Sequence, residues 1–119
     1  MRAGLDLPTL AAAWWTVRVL HRLRRDLRRR PLTELILPAP PRLAPASIRG
    51  VLGVLRRRPH TCLQRALILQ RWMAAQGDDR DVVIGVNSPR EQFRAHAWVD
   101  GEPSCHQEVY RELVRLPAR

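Results

Sequence analysis

Cys62 and His96 are the two residues whose types and surroundings suit nucleophilic chemistry. Cys62 follows the sequence PHT and opens the stretch CLQRALILQRWMAAQG. If a helix begins there, the sulfur lies beside free backbone N–H groups at the positive end of the helix dipole, and both favour the nucleophilic thiolate. The same N–H groups could bind the oxyanion of a tetrahedral intermediate. The alternative is a buried cysteine that packs as a small hydrophobic residue.

His96 lies in FRAHAWVDG, where apolar and polar residues alternate as in a strand. One set of residues is predicted to face the core: Phe93, Ala95, Ala97 and Val99. The other set is predicted to face away from it: Arg94, His96, Trp98 and Asp100. Two alanines beside His96 leave room for a neighbouring side chain, so a helix packed end-on to the sheet could bring sulfur and imidazole together. The alternative for His96 is an exposed or hydrogen-bonded histidine, and Trp98 is predicted to line a substrate cleft.

A helix is predicted over residues 9–30, with Thr9 as its N-cap and Pro31 as its end. Its apolar residues recur at intervals of three and four and predict one buried stripe: Leu10, Ala13, Trp14, Val17, Leu20, Leu23 and Leu27. The arginines fall on the other face and crowd the C-terminal half, where positive charge suits the helix dipole.

A proline-rich connection follows, and then a short helix that begins near Ser47. The cysteine helix ends at Gly77, where the hydrophobic period changes from about 3.6 to 2. DVVIGV and FRAHAWV are predicted strands, a third strand is expected around EPSCHQEVY, and RELVRLPAR is a last strand or a loop. Helices followed by an antiparallel sheet predict an α+β fold. We expect one domain over residues 1–119, with a helical, proline-rich part over 1–58 and the cysteine helix and sheet over 59–119.

The segments TCLQRALILQRWMAAQG, VVIGV, FRAHAWV and DGEP, in this order, resemble the transglutaminase-like cysteine peptidases of lasso-peptide biosynthesis. These stand-alone enzymes cut the leader from a ribosomally made precursor. The resemblance implies a papain-like core without a cofactor, with Cys62 as nucleophile and His96 as base. Gln64 is a side-chain candidate for the oxyanion site. The resemblance also implies a separate leader-recognition protein, and a macrolactam-forming synthetase that uses the freed amine.

The third catalytic residue is less clearly marked. The family acid stands about a dozen residues beyond the histidine, at Glu108, but the Asp100-Gly101 turn comes early and shortens the hairpin. Asp100 lies roughly 13 Å along the strand from His96, too far to orient the ring. Tight turns would pair His96 with Cys105 or His106 instead. Glu108 is therefore the first candidate, with His106 or no charged residue as alternatives.

The formal charge of +10 comes from arginine alone among the basic residues and predicts an acidic partner, which could be nucleic acid, an anionic membrane or an acidic polypeptide. We expect the arginine-rich helix to dock the recognition protein or the acidic part of a leader. A zinc site built from His60, Cys62, His96, Cys105 and His106 is one rival, although no Cys-x2-Cys spacing is present. A basic nucleic-acid module is another, but no aromatic residues interleave with the arginines and no recognised motif is present. We predict neither metal nor nucleic acid.

The N-terminal sequence lacks the pattern of a secretory signal. The apolar run from Leu10 to Leu20 is interrupted by Arg18 and is too short to span a bilayer. Two cysteines also cannot form a disulfide framework. We therefore expect a bacterial cytoplasmic protein with reduced thiols and no transmembrane segment.

Overall fold

The computed structural model describes residues 6–87, 94–101 and 111–118. These residues form an α+β fold, as predicted, with helices and an antiparallel sheet. The helices are α1 (Leu7–Asp26), α2 (Ile48–Arg57) and α3 (Cys62–Ala75), and the strands are β1 (Val82–Asn87), β2 (Arg94–Val99) and β3 (Arg111–Leu116). None of the helices in these three ranges combines the length and apolar character needed to cross a bilayer.

The chain divides into two compact units, Met1–His60 and Thr61–Arg119. The first unit contains α1 and α2, which are joined by a connection with short 3-10 turns at Leu32–Glu34 and Pro45–Ser47. The second contains α3 and the sheet. The prediction that all of this forms a single domain stays a prediction.

The start of α1 differs from the prediction. Asp6, not Thr9, is the N-cap, since its carboxylate accepts a hydrogen bond from the Thr9 backbone N–H at 2.8 Å. Hydrogen bonding from Thr9 lowers the pKa of the Asp6 carboxyl below its usual value. Pro8 fits the first turn, where a missing N–H costs nothing, so the helix begins earlier than Thr9. The helix also ends at Asp26, before Pro31.

The buried stripe of α1 is rotated from the predicted one. Leu10 and Trp14 are 49% and 64% exposed, although both were expected inside. The buried residues are Thr9, Ala12, Trp15, Thr16, Val19, Leu20 and Leu23. The backbone of α2 approaches the small residues Thr9 and Ala12 closely: a Cβ added at Gly50 would lie 2.1 Å from the Thr9 carbonyl oxygen and 3.1 Å from the Ala12 Cβ.

We expect Gly50→Ala to destabilise the protein by about 1–3 kcal/mol, because the added methyl group forces α1 and α2 apart. It would also meet the Ala13 backbone nitrogen at 2.9 Å, which no side-chain rotation relieves. Gly53→Ala is the matched control, because its Cβ meets only the flexible end of Arg57 at 3.2 Å. Alanine favours a helix over glycine by about 1 kcal/mol, so this control should be neutral or stabilising. Urea unfolding measures both, and equal stabilities would contradict the close packing at Gly50.

The sheet of the second unit has the strand order β2-β1-β3, with both neighbouring pairs antiparallel. The last segment of the chain, for which a strand or a loop is predicted, is therefore strand β3. Gln70, buried on α3, donates hydrogen bonds to the carbonyls of Arg80 and Leu116, each at 2.8 Å. Through one side chain, α3 is fixed to the entry of β1 and the end of β3. The strand expected around EPSCHQEVY lies outside the described residues.

Burial along β2 departs from strict alternation. Ala97 and Val99 are buried as predicted, but Trp98 is also buried and Ala95 is exposed. Val82 and Val83 in β1 are likewise both buried. Consecutive buried residues are typical of strands that are covered on both faces. Both faces of the sheet are therefore buried where the start of β1 pairs with the end of β2. Phe93 lies outside the described residues.

Candidate active site

Helix α3 begins at Cys62, as predicted. The Thr61 hydroxyl accepts a hydrogen bond from the Gln64 backbone N–H at 3.1 Å, and the Gln64 side-chain oxygen accepts one from the Thr61 N–H at 2.9 Å. This reciprocal capping box makes Cys62 the first helical residue. Its sulfur therefore lies in the first turn, where backbone N–H groups have no partner within the helix.

The far end of α3 also ends as predicted. Gly77 has a φ of +84°, a conformation that favours glycine. The N–H groups of Gly77 and Asp78 bind the carbonyls of Ala74 and Met73 at 3.0 and 2.9 Å. This pattern is a Schellman motif, and it turns the chain toward β1.

The sulfur of Cys62 contacts strand β2. It accepts a hydrogen bond from the backbone N–H of Ala97, with the nitrogen 3.4 Å from the sulfur. The thiol is free and half-buried. Ala97 directly follows His96 in the strand, so the start of α3 meets β2 at the residue next to the histidine.

The imidazole of His96 stacks on the indole of Trp98. The ring centroids are 5.8 Å apart and the planes differ by 24°. Residues two apart in a strand share a face, which is why these two rings meet. His96 is half-buried, whereas Trp98 is 6% exposed. Trp98 thus supports the imidazole from one side, and its predicted role in substrate binding stays a prediction.

A glycine separates His96 from an acidic residue across the sheet. Gly85 of β1 pairs with His96 on one side and with Glu112 of β3 on the other. Directly paired residues share a face, and two strand spacings put the outer Cα atoms about 9–10 Å apart. No β1 side chain stands between them in this row. Sequence reasoning missed Glu112, although a glycine inside a strand signals a close approach.

The carboxylates of Glu112 and Asp100 are both hydrogen-bonded to Arg115. Its guanidinium donates to the Glu112 carboxylate at 2.8 Å, to Asp100 at 2.9 Å and to Asp81 at 3.4 Å. Hydrogen bonding to Glu112 and then Asp100 raises the pKa of Arg115 above its usual value. Asp100 therefore has an arginine partner, and its exclusion as the residue that orients His96 stays a prediction.

The other predicted site residues differ in what the structure shows of them. Gln64 is buried, and its side-chain oxygen accepts a hydrogen bond from the Thr61 N–H, while its predicted role in binding an oxyanion stays a prediction. Glu108, His106 and Cys105 lie outside the described residues. Within the described part of the chain, no three His, Cys, Asp or Glu side chains are grouped so as to hold a metal ion.

Comparison with known families matches residues 5–114 to the transglutaminase-like superfamily. The chain belongs to this superfamily. The match includes Cys62, His96 and the first two strands of the sheet, and members of the superfamily are commonly cysteine proteases or their relatives. No curated protein and no solved structure gave a significant match to the chain.

Proposed function

We propose that this protein is a cysteine peptidase that removes the leader from a ribosomally made lasso-peptide precursor. The observation that carries the proposal is the contact of the Cys62 sulfur, at the start of a capped helix, with the N–H that follows His96. Membership of the transglutaminase-like superfamily supports cysteine-based hydrolysis. The choice of substrate depends on the resemblance of the TCLQRAL and FRAHAWV segments to the lasso leader peptidases.

In the first half of the reaction, His96 takes the proton from the Cys62 thiol. The sulfur attacks the carbonyl carbon at the junction of leader and core, and the carbonyl electron pair moves to oxygen. The backbone N–H of Cys62 at the helix start binds this oxyanion, with the amide nitrogen of Gln64 as a second donor. The capping box supports this arrangement because it fixes the first turn of α3 in place.

In the second half, the protonated His96 gives its proton to the nitrogen of the core peptide, and the carbon–nitrogen bond breaks. The leader remains as a thioester on Cys62. His96 then takes a proton from water, the water oxygen attacks the thioester, and the leader leaves as a carboxylic acid while the thiol re-forms. The freed amine is the group that a macrolactam-forming synthetase needs, and a separate recognition protein delivers the precursor.

The test is leader release from a cognate precursor in the presence of the recognition partner, followed by mass spectrometry. A product pair split at one bond supports the proposal. An intact precursor in the presence of active partner proteins would contradict it. The reaction belongs in the bacterial cytoplasm, where thiols stay reduced.

The orienting residue is tested by two acidic positions. We expect Glu108→Ala to lower kcat by about 10²–10⁴-fold, because the imidazole loses the group that selects its tautomer. Glu112→Ala is the comparison: its carboxylate is held by Arg115, and we expect less than about a threefold change in kcat. His106→Ala tests the alternative in the hairpin. The opposite result, with Glu112→Ala inactive and Glu108→Ala active, would assign the role across Gly85 instead.

A further inference from the structure

A groove runs along α1 in the first unit. It lies between the helix and residues 38–41 and has a volume of about 660 Å³. The Trp15 indole nitrogen donates a hydrogen bond to the Pro38 carbonyl at 3.2 Å, which holds the proline segment beside the helix. Trp14 and Val19 contribute apolar walls. The groove therefore has an apolar interior that is open to an extended chain.

The exposed face of α1 along this groove has two chemically distinct halves. The N-terminal half is apolar, with Leu7, Leu10 and Trp14 exposed at 81%, 49% and 64%. The C-terminal half is basic, with three exposed arginines at helical spacing: Arg18, Arg22 and Arg25. Residues three and four apart lie on one helix face, so this is a single stripe that changes from apolar to cationic at the fourth turn.

The positive charge in the groove is poorly neutralised. Its lining contains three arginines and no acidic residue. Arg22 and Arg25 share a single carboxylate, Asp26, at 3.4 and 3.7 Å. Arg18 makes no ion pair with any residue in the described ranges. A guanidinium group without a carboxylate partner of its own can bind a carboxylate through two parallel hydrogen bonds. A ligand that fits this groove is therefore acidic.

We propose that this groove binds an acidic segment of the polypeptide substrate. An apolar side chain of the segment packs on Trp14, and its carboxylates pair with Arg18 and Arg22. Trp14 and Arg22 are about 12 Å apart along the helix, a distance that an extended peptide covers in about four residues. The segment thus needs an apolar residue and an acidic residue about four positions apart. That this polypeptide is the substrate rests on the proposed function.

The shape of the groove favours a peptide over a lipid surface or a nucleic acid. An amphipathic helix that lies on a membrane presents a convex apolar face, whereas here residues 38–41 rise beside the helix and make the surface concave. Three of the four residues in that wall are prolines, which have no backbone N–H to donate to base edges. An extended acidic chain needs only the apolar walls and the arginines.

Binding is tested with the full chain carrying Cys62→Ala, so that cleavage does not interfere. The probes are fluorescein-labelled synthetic peptides that contain one leucine and two aspartates. One of the aspartates stands four positions from the leucine. One comparison peptide has lysines for the aspartates and another has serine for the leucine. We expect each comparison peptide to bind at least about tenfold more weakly than the acidic peptide, as measured by fluorescence anisotropy. Salt at about 0.5 M should weaken the binding of the acidic peptide. Equal binding of the acidic and lysine peptides would overturn the proposal.

Matched variants locate the site. Trp14→Ala and Arg18→Glu change exposed side chains in the groove, and each should weaken binding by at least about tenfold. Arg29→Glu makes the same charge change on an exposed residue that does not line the groove, and it should leave binding within about threefold. Equal weakening by Arg18→Glu and Arg29→Glu would show a general charge effect and overturn the proposal. So would an oligonucleotide or an anionic phosphatidylglycerol vesicle that binds more tightly than the acidic peptide and is lost in the same variants.

Cleavage by active protein separates this inference from the proposed function. With a cognate precursor, Trp14→Ala and Arg18→Glu should raise KM by at least about tenfold and leave kcat unchanged, because they weaken binding of the ground state and of the transition state equally. Unchanged KM in both variants, with normal cleavage by the parent chain, would overturn only the groove assignment. No cleavage by the parent chain, with acidic-peptide binding intact, would overturn only the peptidase assignment.

Discussion

Cys62→Ala should abolish leader release, with a loss of at least about 10⁴-fold in kcat. The variant removes the proposed nucleophile, the sulfur that contacts the Ala97 N–H. The measurement is leader release by mass spectrometry under single-turnover conditions, with protein in excess over precursor. The free energy of unfolding should change far less than activity, because Cys62 is only half-buried.

The control for this variant is Cys105→Ala, which removes the other thiol of the chain. It should retain cleavage, and it should still form a covalent adduct with a thiol-reactive alkylating agent. If Cys105→Ala were inactive and Cys62→Ala active, the nucleophile assignment would be reversed. If both variants cleaved normally, cysteine-based catalysis would be wrong.

The features that were predicted correctly depend on short-range signals. Thr61 and Gln64 stand three residues apart, which is the spacing of a capping box. Four consecutive residues therefore determine where α3 begins. Gly77 similarly marks the end of the helix through its own backbone conformation. The change of period after Gly77 identified β1 and β2. The position of Cys62 at a helix start is thus a local property of the sequence.

The features that were missed depend on contacts between distant residues. The inward face of α1 is set by the backbone of α2 at Gly50, about forty residues away, and α1 has apolar residues on both candidate faces. Periodicity alone cannot select between them. The pairing of Gly85 with Glu112 follows from β3 joining the far edge of β1, with an irregularity between Ile84 and Gly85 that shifts the register. A bulge of this kind changes which residue faces which, and residue spacing does not reveal it.

The contact between Cys62 and β2 depends on both a short-range sequence signal and the packing of distant residues. Residue types suggested that a helix-start cysteine and a strand histidine work together, but only the fold brings the sulfur to the Ala97 N–H. The stacking of His96 on Trp98 was not anticipated, because Trp98 was assigned to a cleft wall. Stacked aromatic rings prefer defined relative orientations, so this contact favours one orientation of the imidazole.

His96→Ala should lower kcat by at least about 10⁴-fold, because every proton transfer of the proposed reaction loses its carrier. The double variant Cys62→Ala/His96→Ala should be no slower than either single one, since residues that act as a unit have non-additive effects. The single variant His96→Ala leaves the backbone of Ala97 unchanged, so the contact of the Ala97 N–H with the Cys62 sulfur is retained. Alkylation of Cys62 near neutral pH should slow in His96→Ala, a readout that a merely structural histidine would not affect.

His60→Ala is the matched control, because His60 stands two residues from the nucleophile and yet has another partner. Its Nδ1 lies 2.9 Å from the Arg58 carbonyl oxygen. We expect this variant to keep kcat within about threefold of the parent, since the lost contact is a single exposed hydrogen bond. Full activity in His96→Ala together with an inactive His60→Ala would move the base to the loop before α3. The catalytic pair would then lie within three consecutive residues, and strand β2 would serve only to hold the sulfur through its N–H.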